Sequence, residues 1–246
     1  MSFFSNLLGG QATKRSSSLL GEAEDSGRGV GESGTPMKSS LLLVALVGMA
    51  LWSPDAWAAE YRIQPEQSEL VVLVFKAGFA AALGHDHIVR ATLFSGSIRG
   101  DPGHPAAAAV DVTVAAAALA ADEPEMRKKH NLPAGLSDAD RREIQSTMLG
   151  ETQLHVAAYP DITFRSVAVE LRGSGELLVT GDFTLHGTTR RIRVSVRVQF
   201  SGDTVRATGA FDVNQSDFGI TPVSLFFGAV RNRDRVRVVF DLVAAP

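Results

Sequence analysis

The chain has 246 residues, 45% of them hydrophobic and 21% charged, which is the balance of a globular protein with enough apolar material for one sizeable core. Its formal net charge of -3 lacks the basic excess that accompanies binding to a phosphate backbone, so we expect no nucleic-acid partner. The absence of cysteine excludes disulfides, a thiolate nucleophile and cysteine-based zinc or iron–sulfur sites.

The first 58 residues have the features of an exported protein. Residues 1–36 are rich in serine and glycine without a sustained period, so we expect a disordered extension or a misassigned start. Residues 37–58 predict a cleaved signal peptide: Lys38 is followed by a short apolar run and by Ala56-Trp57-Ala58, which is typical of a cleavage site. The alternative is a genuine extension followed by a signal anchor. We therefore expect the mature domain to span residues 59–246.

From residue 59 onward the hydrophobic pattern has a period of two, which predicts β-strands. In R-R-I-R-V-S-V-R-V-Q-F, residues 190–200, one face carries the apolar side chains from Ile192 to Val198, and the other carries Arg191, Arg193 and Arg197. Similar runs, separated by polar or glycine-containing turns, occupy residues 70–75, 88–98, 110–114, 162–171, 177–185, 204–213 and 234–242. Because a sheet of about eight antiparallel strands usually closes on itself or folds into a sandwich, we expect an all-β, eight-stranded antiparallel barrel.

A short helical insertion interrupts the strand pattern between residues 121 and 159. Ser137 can cap a helix over residues 138–149, and Gly150 stands where that helix would end. A second helical piece is expected over residues 151–158, before Pro160 stops it.

The predicted strands carry many large apolar side chains, and a barrel of this size can hold one small ligand. On the residues alone, a packed core and a ligand cavity both remain open. The side chains concerned, on or beside the strands, are Phe164, Phe183, Leu185, Phe211, Phe218, Phe226 and Phe227.

Three stretches carry a family resemblance: A-A-Y-P-D-I-T-F-R-S at 157–166, G-E-L-L-V-T-G-D-F-T-L-H-G-T-T-R-R-I at 175–192 and F-D-V-N-Q-S-D-F-G-I at 211–220. Together with the opening residues 61–75 and the last strand, they resemble the YceI-like family of exported proteins, which are lipocalin-like barrels that bind polyisoprenoid lipids. The resemblance implies an apolar tunnel for an isoprenoid tail, with the polar end of the ligand near an opening. It also implies a periplasmic location.

On this resemblance we expect a binding protein that carries or sequesters a polyisoprenoid lipid, such as an isoprenoid quinone or an isoprenyl-type chain, with no other cofactor. A transient membrane contact and a homodimer are left open. The residues expected to bind the ligand are Phe75, Phe94, Phe164, Phe183, Leu185, Phe211, Phe218, Phe226, His85 and His87.

The histidines of G-H-D-H, residues 84–87, stand where a Gly-Phe pair is typical of the resembled family. In a strand, His85 and His87 would point the same way and Asp86 the opposite way. The two imidazoles would suit hydrogen bonds to a ligand head group. The alternative is a periplasmic metal-binding or redox-associated module that uses His85, His87 and His186, although most zinc sites need three protein ligands. A further alternative is that these histidines only make polar contacts at the rim of the barrel. We rank the head-group role above metal binding and expect no metal.

Motifs of catalysis are missing from the sequence. It contains no G-x-S-x-G elbow, no P-loop, no H-E-x-x-H and no glycine fingerprint of dinucleotide binding. We therefore expect that the protein is not an enzyme.

Overall fold

The structure is a computed structural model, and it describes residues 59–101 and 103–246. The expected extension at residues 1–36 and the expected signal peptide at 37–58 lie outside the described residues. No helix in the described part of the chain is long and apolar enough to cross a membrane.

The described residues form one antiparallel sheet in which several long strands are broken into two segments. The segments, in chain order, are β1 Ala59–Ile63, β2 Glu69–Ala77, β3 His87–Ala91, β4 Phe94–Gly100, β5 Ala109–Ala115, β6 Leu119–Ala121, β7 Asp161–Gly173, β8 Glu176–Leu185, β9 Thr188–Ser201, β10 Thr204–Asn214, β11 Ser224–Leu225 and β12 Val230–Ala245.

The sheet closes into a barrel. Its strands follow the order β1-β4-β5-β7-β8-β9-β10-β12, and β12 pairs back onto β1 with Arg62 opposite Ala245. The segments β2, β3 and β6 extend the same wall, because β2 pairs with β12, β3 with β2 and β6 with β3. Counting β1–β2, β3–β4 and β5–β6 as one broken strand each gives an eight-stranded antiparallel barrel, so the predicted fold class is confirmed.

The breaks between segments have local causes. Pro65 begins a single 3₁₀ turn between β1 and β2, where the proline ring is compatible with the first turn of a helix. The strand predicted over residues 88–98 is divided at Thr92 and Leu93. There the backbone amide and the hydroxyl of Thr92 both donate to the carbonyl of Ala118, at 2.9 and 2.7 Å.

Two α-helices lie in the insertion, α1 at Pro124–Lys129 and α2 at Asp138–Leu149. The bounds of α2 are those predicted, and Ser137 caps it: its hydroxyl accepts from the Asp140 amide at 3.2 Å, and the Asp140 carboxylate accepts from the Ser137 amide at 3.0 Å. The prediction of a second helix over residues 151–158 is wrong. That stretch forms turns, and His155 has a left-handed φ of 44°, which a right-handed helix cannot accommodate. The short α1 was not predicted.

Helix α2 is held against the barrel by a side-chain amide. The Ala121 amide donates to Gln145 Oε1 at 2.8 Å, and Gln145 Nε2 donates to the Leu119 carbonyl at 2.7 Å. The side-chain amide of Gln145 therefore makes the two hydrogen bonds with β6 that a neighbouring strand would otherwise make. The apolar face of α2, with Ile144 and Met148, packs against the core at this end of the barrel.

The strand faces alternate as the sequence predicted. On β9, Val194, Val196 and Val198 point inward. The arginines between and beside them point outward, where Arg191 pairs with Asp182 at 2.6 Å. The barrel interior is thus apolar, and the exterior carries ion pairs.

Candidate ligand cavity

The barrel encloses a cavity of about 450 Å³. This volume lies within the range of small-molecule sites, about 300–1,000 Å³. On β8 the lining extends from Leu177 to Leu185, eight residues apart, which corresponds to about 27 Å at the rise of an antiparallel strand. The cavity is therefore long and follows the wall for almost a whole strand.

The lining is almost entirely aliphatic and aromatic. Among the described residues that line the cavity, Asp101 is the only one with a charged side chain. The uncharged polar side chains on the lining are few and include Thr163, Gln153 and Gln215. Because an unpaired polar group is costly to bury, this surface suits a ligand that is apolar over most of its length.

The two ends of the cavity differ in chemistry. Asp101 and Pro105, in the connection between β4 and β5, line one end. At the other end lie Gln153 and Gln215. The Gln153 Nε2 group donates to the carbonyls of Thr152 and Thr221, at 2.8 and 3.0 Å, and that of Gln215 donates to the Arg233 carbonyl at 2.9 Å. With their nitrogens engaged in this way, the two side chains retain Oε1 as a hydrogen-bond acceptor.

Two inward glycines make room for aromatic rings. A Cβ at Gly181 would lie 2.4 Å from Cζ of Phe164, and a Cβ at Gly209 would lie 2.6 Å from Cζ of Phe240. Both rings line the cavity. The glycines therefore let large rings lie flat against the wall, which keeps the lumen open.

Four of the predicted ligand-binding residues, Phe164, Phe183, Leu185 and Phe211, line the cavity. The rings of Phe183 and Phe211 meet edge to face, with centroids 5.6 Å apart. Phe218 stands behind this surface: it is buried and packs on Phe183 at 5.5 Å.

The remaining predicted aromatics lie outside the cavity lining. Phe94 is buried in the core cluster near Ile63. Phe75 directly follows Val74 on β2. Because Val72 and Val74 line the cavity, the period of two turns Phe75 outward, where the Arg233 guanidinium lies 5.9 Å from its ring. Phe226 is 75% exposed in the turn before β12.

Aliphatic side chains of β9, β10 and β12 form much of the lining and were absent from the predicted site. Their signal was present in the sequence as valines at every second position. Choosing site residues by their size favours aromatic side chains, whereas the alternation of apolar and polar residues identifies the inward face. The lining residues concerned are Val194, Val196, Val198, Val205, Ala207, Val213, Val236 and Val238.

The His-Asp-His triplet makes polar contacts outside the cavity, and neither histidine lines it. His87 Nδ1 lies 2.6 Å from Oδ2 of Asp122. Asp86 accepts a hydrogen bond from the backbone amide of Lys76 at 2.8 Å, which closes the loop between β2 and β3. His85 is exposed.

Asp122 is the centre of a buried polar network. Its side chain is fully buried, and besides contacting His87 it accepts from the Ile88 amide at 3.1 Å and from Arg127 Nη1 at 2.5 Å. Burial by itself raises the pKa of the Asp122 carboxyl. The hydrogen bond and charge of His87, the Ile88 amide and Arg127 together outweigh burial, so that the pKa lies below its ordinary value.

The guanidinium of Arg127 extends this network to two loops. It donates to the carbonyl of Asp86 at 2.9 Å and, through Nη2, to that of Pro133 at 2.8 Å. Asp122, His87 and Arg127 therefore join β3, the loop before it and α1.

His186 has surroundings of its own. Its Nδ1 lies 3.1 Å from the Phe218 carbonyl oxygen, and its ring meets that of Tyr159 at 4.5 Å. In the described part of the chain no group of three or more His, Cys, Asp or Glu side chains is arranged to hold a metal ion. The structure thus does not bring His85, His87 and His186 together as one ligand set.

A closed antiparallel barrel around a long apolar cavity defines the class of small ligand-binding barrel proteins. Within that class, the chain belongs to the YceI-like family, because the YceI-like domain matches residues 61–244. The resemblance seen in the sequence is therefore confirmed.

Individual relatives agree with this assignment. A UPF0312 protein of Shewanella putrefaciens is 30% identical over 187 residues, covering 73% of this chain and 86% of the relative. One from a Shewanella species, strain ANA-3, is 31% identical with the same coverage. The crystal structure of Burkholderia cenocepacia BcnA covers 74% of this chain and 99% of its own, with a TM-score of 0.59. At 21% identity, that likeness establishes the fold alone.

Proposed function

We propose that the protein binds a polyisoprenoid lipid inside the barrel and carries or sequesters it in the periplasm. The observation behind this proposal is the long cavity whose described lining holds a single charged side chain. A linear hydrocarbon suits such a cavity because each buried methylene contributes about 0.8 kcal/mol, so a chain of isoprene units binds with few polar contacts. The bound lipid is the ligand, and the proposal needs no other cofactor.

Binding accounts for the site better than catalysis does. The polar groups on the lining are separated along the cavity, and none of them forms a nucleophile–base pair in the hydrogen bonds of the described residues. An enzyme claim needs such a constellation near a reacting atom. The proposed role is therefore transfer or storage of an unchanged lipid.

The two glutamines are the best candidates to receive the polar end of the lipid. Their Oε1 atoms accept hydrogen bonds, which favours a head group that donates, such as the hydroxyl of a reduced quinone or of an isoprenyl alcohol. Among the described residues, the histidines at 85 and 87 are not on the lining. This proposal accordingly places head-group recognition at Gln153 and Gln215.

Native mass spectrometry of untagged protein purified from its own host tests lipid binding. We expect an added mass that organic extraction removes and that fits an isoprenoid. Protein that carries no extractable lipid, and that takes none up from isoprenoid-containing vesicles, would contradict the proposal.

A blocked cavity provides the matched control. Ala207 lines the lumen on β10, and Ala207→Trp should fill part of it and reduce the lipid-bound fraction. The neighbouring Thr208 points outward on the same strand, so Thr208→Trp adds the same side chain without filling the lumen. Equal lipid loading in the two variants would place the ligand elsewhere.

Glutamine variants test the head-group assignment. Gln153→Leu with Gln215→Leu should reduce the preference for an isoprenyl alcohol over the corresponding hydrocarbon, while leaving affinity for the hydrocarbon similar. His85→Ala with His87→Ala should leave that preference unchanged. The reverse pattern would return the head group to the histidines.

A further inference from the structure

An exposed apolar surface lies on the outside of the barrel where β2 and β12 meet. We call it the Phe79–Phe227 patch. Its side chains are 91% exposed at Phe79 and 78% at Leu83, and Phe227 is fully exposed. Solvent exposure of several large apolar side chains on one surface usually marks a binding surface. The members of the patch are Phe79, Leu83, Leu225, Phe226 and Phe227.

Backbone contacts hold the two halves of the patch together. The Ala80 amide donates to the Ala229 carbonyl at 2.9 Å. A Cβ at Gly78 would lie 2.3 Å from the oxygen of Ala229, and one at Gly84 would lie 2.9 Å from Cγ1 of Val230. The loop after β2 therefore lies directly against the turn before β12, and the exposed side chains of both belong to one surface.

The turn keeps its aromatic rings in solvent at a conformational cost. Phe226 and Phe227 both have left-handed backbones, with φ of 50° and 55°. This region is unfavourable for residues with a bulky side chain, by about 1–2 kcal/mol each. Neither ring is buried, so packing within the described protein does not offset that cost.

Basic side chains border the patch. Arg231 pairs with Ser224 across the β11–β12 hairpin, Arg233 lies over Phe75, and Lys76 Nζ donates to the Gly84 carbonyl at 3.0 Å. Among the described residues, no carboxylate forms an ion pair with any of these three. Because the whole chain carries a formal charge of -3, this basic edge is a local departure from the rest of the protein.

The nearby carboxylates are engaged by neutral donors. Asp86 accepts from the Lys76 amide at 2.8 Å, and Asp234 accepts from the Ser216 amide at 2.8 Å and from its hydroxyl at 2.5 Å. These two carboxylates reduce the net charge of this edge, but neither forms an ion pair with Arg231 or Arg233.

We propose that the Phe79–Phe227 patch docks on an anionic lipid bilayer, with its aromatic rings at the acyl boundary and Lys76, Arg231 and Arg233 against the head groups. Exposed aromatic side chains beside basic ones are the combination that binds such a surface. A second copy of the chain is a poorer occupant. A two-fold interface would bring the same basic edge of each copy together, at an electrostatic cost.

Docking would bring the Gln215 end of the cavity to the membrane. Gln215 lines the cavity and donates to the carbonyl of Arg233, a residue of the basic border. This inference deepens the proposed lipid-binding function by assigning the surface through which the lipid is exchanged, and it rests on that function for its purpose.

Vesicle binding tests the proposal. The chain should begin at Ala59, where β1 begins, because the apolar run at residues 41–52 would otherwise bind vesicles itself. Cosedimentation with vesicles of mixed phosphatidylglycerol and phosphatidylcholine should show binding. The binding should weaken with high salt or with phosphatidylcholine alone.

The decisive variant is Phe226→Asn with Phe227→Asn, because asparagine tolerates the left-handed backbone and the fold should be retained. We expect its partitioning onto the mixed vesicles to fall at least about tenfold. The matched control, Leu93→Ser with Val167→Ser, removes two exposed apolar side chains elsewhere and should partition like the unchanged protein.

The outcomes separate the two proposals. Equal partitioning of the patch variant and the unchanged protein would overturn docking, as would vesicle-independent dimerisation that the patch variant abolishes. The blocked variant Ala207→Trp should still bind vesicles, and the patch variant should still bind a solubilised isoprenoid. If the cavity binds no lipid, the vesicle experiment still tests docking. If the patch does not dock, the solubilised isoprenoid still tests lipid binding in the cavity.

Discussion

Replacing Asp122 by alanine tests whether the buried network holds α1 and the His-Asp-His loop to the barrel. The side chain of Asp122 is 0% exposed, and that of Arg127 is 5% exposed. The change removes the acceptor for His87, the Ile88 amide and Arg127, leaving a buried guanidinium without its carboxylate. Breaking such a pair costs about 3–5 kcal/mol, so the free energy of unfolding should fall by that amount.

Urea unfolding at neutral pH, followed by circular dichroism, measures this effect. Asp122→Asn keeps the shape and tolerates the left-handed φ of 53°, so it isolates the charge and should cost about 1.5–3 kcal/mol. Asp182→Ala is the control, because its exposed ion pair with Arg191 contributes little and the urea midpoint should hardly move. A midpoint for Asp122→Ala as high as that of the control would refute the reasoning.

Three further predictions concern pH, packing and the helix cap, and a fourth concerns the exposed turn. Because the pKa of Asp122 is lowered in the folded protein, its stabilising contribution is complete above about pH 5 and begins to be lost as the pH falls below about 4. Acid titrations of the unchanged protein and of Asp122→Asn should converge only below the lowered pKa. Gly181→Ala should destabilise by about 1–3 kcal/mol in urea, since the new Cβ would meet the ring of Phe164 at 2.4 Å. Ser137→Ala should cost about 1 kcal/mol and increase amide exchange in the first turn of α2, whereas unchanged exchange would exclude the cap as its cause. Phe227→Gly should raise the melting temperature, because it relieves a left-handed phenylalanine with no packing to lose; a lower melting temperature would show that the ring is buried in solution.

The strands could be predicted because their signal is local. The alternation in residues 190–200 identifies both β9 and its inward face, and the inward valines do line the cavity. Helix α2 was equally accessible, since its cap at Ser137 and its end at Gly150 lie within a few residues of its body. The conformation of residues 151–158 was harder to predict from the sequence. Their propensity is helical, but the chain turns at His155, and Leu154 lines the cavity.

The roles of individual site residues were harder to predict. Phe75 and Phe226 are large aromatic residues of the kind that lines ligand sites. Phe75, however, lies on the outward face of β2, and Phe226 lies in an exposed turn. The partner of His87 is 35 residues away in sequence, at the end of β6, and no local pattern identifies it. Size and polarity alone do not indicate which neighbours the fold will provide.

By itself the sequence determined the all-β class, the approximate number of strands, the capped helix and the family, because these depend on periodicity and on contiguous motifs. Only the tertiary structure decided that the aliphatic inward face surrounds an open cavity, that His87 contacts the buried carboxylate of Asp122, and that Phe79 and Phe227 share one surface. The reason is physical: a cavity, a buried ion pair and a surface patch are made by residues from distant segments, and barrel closure and strand register decide which of them meet.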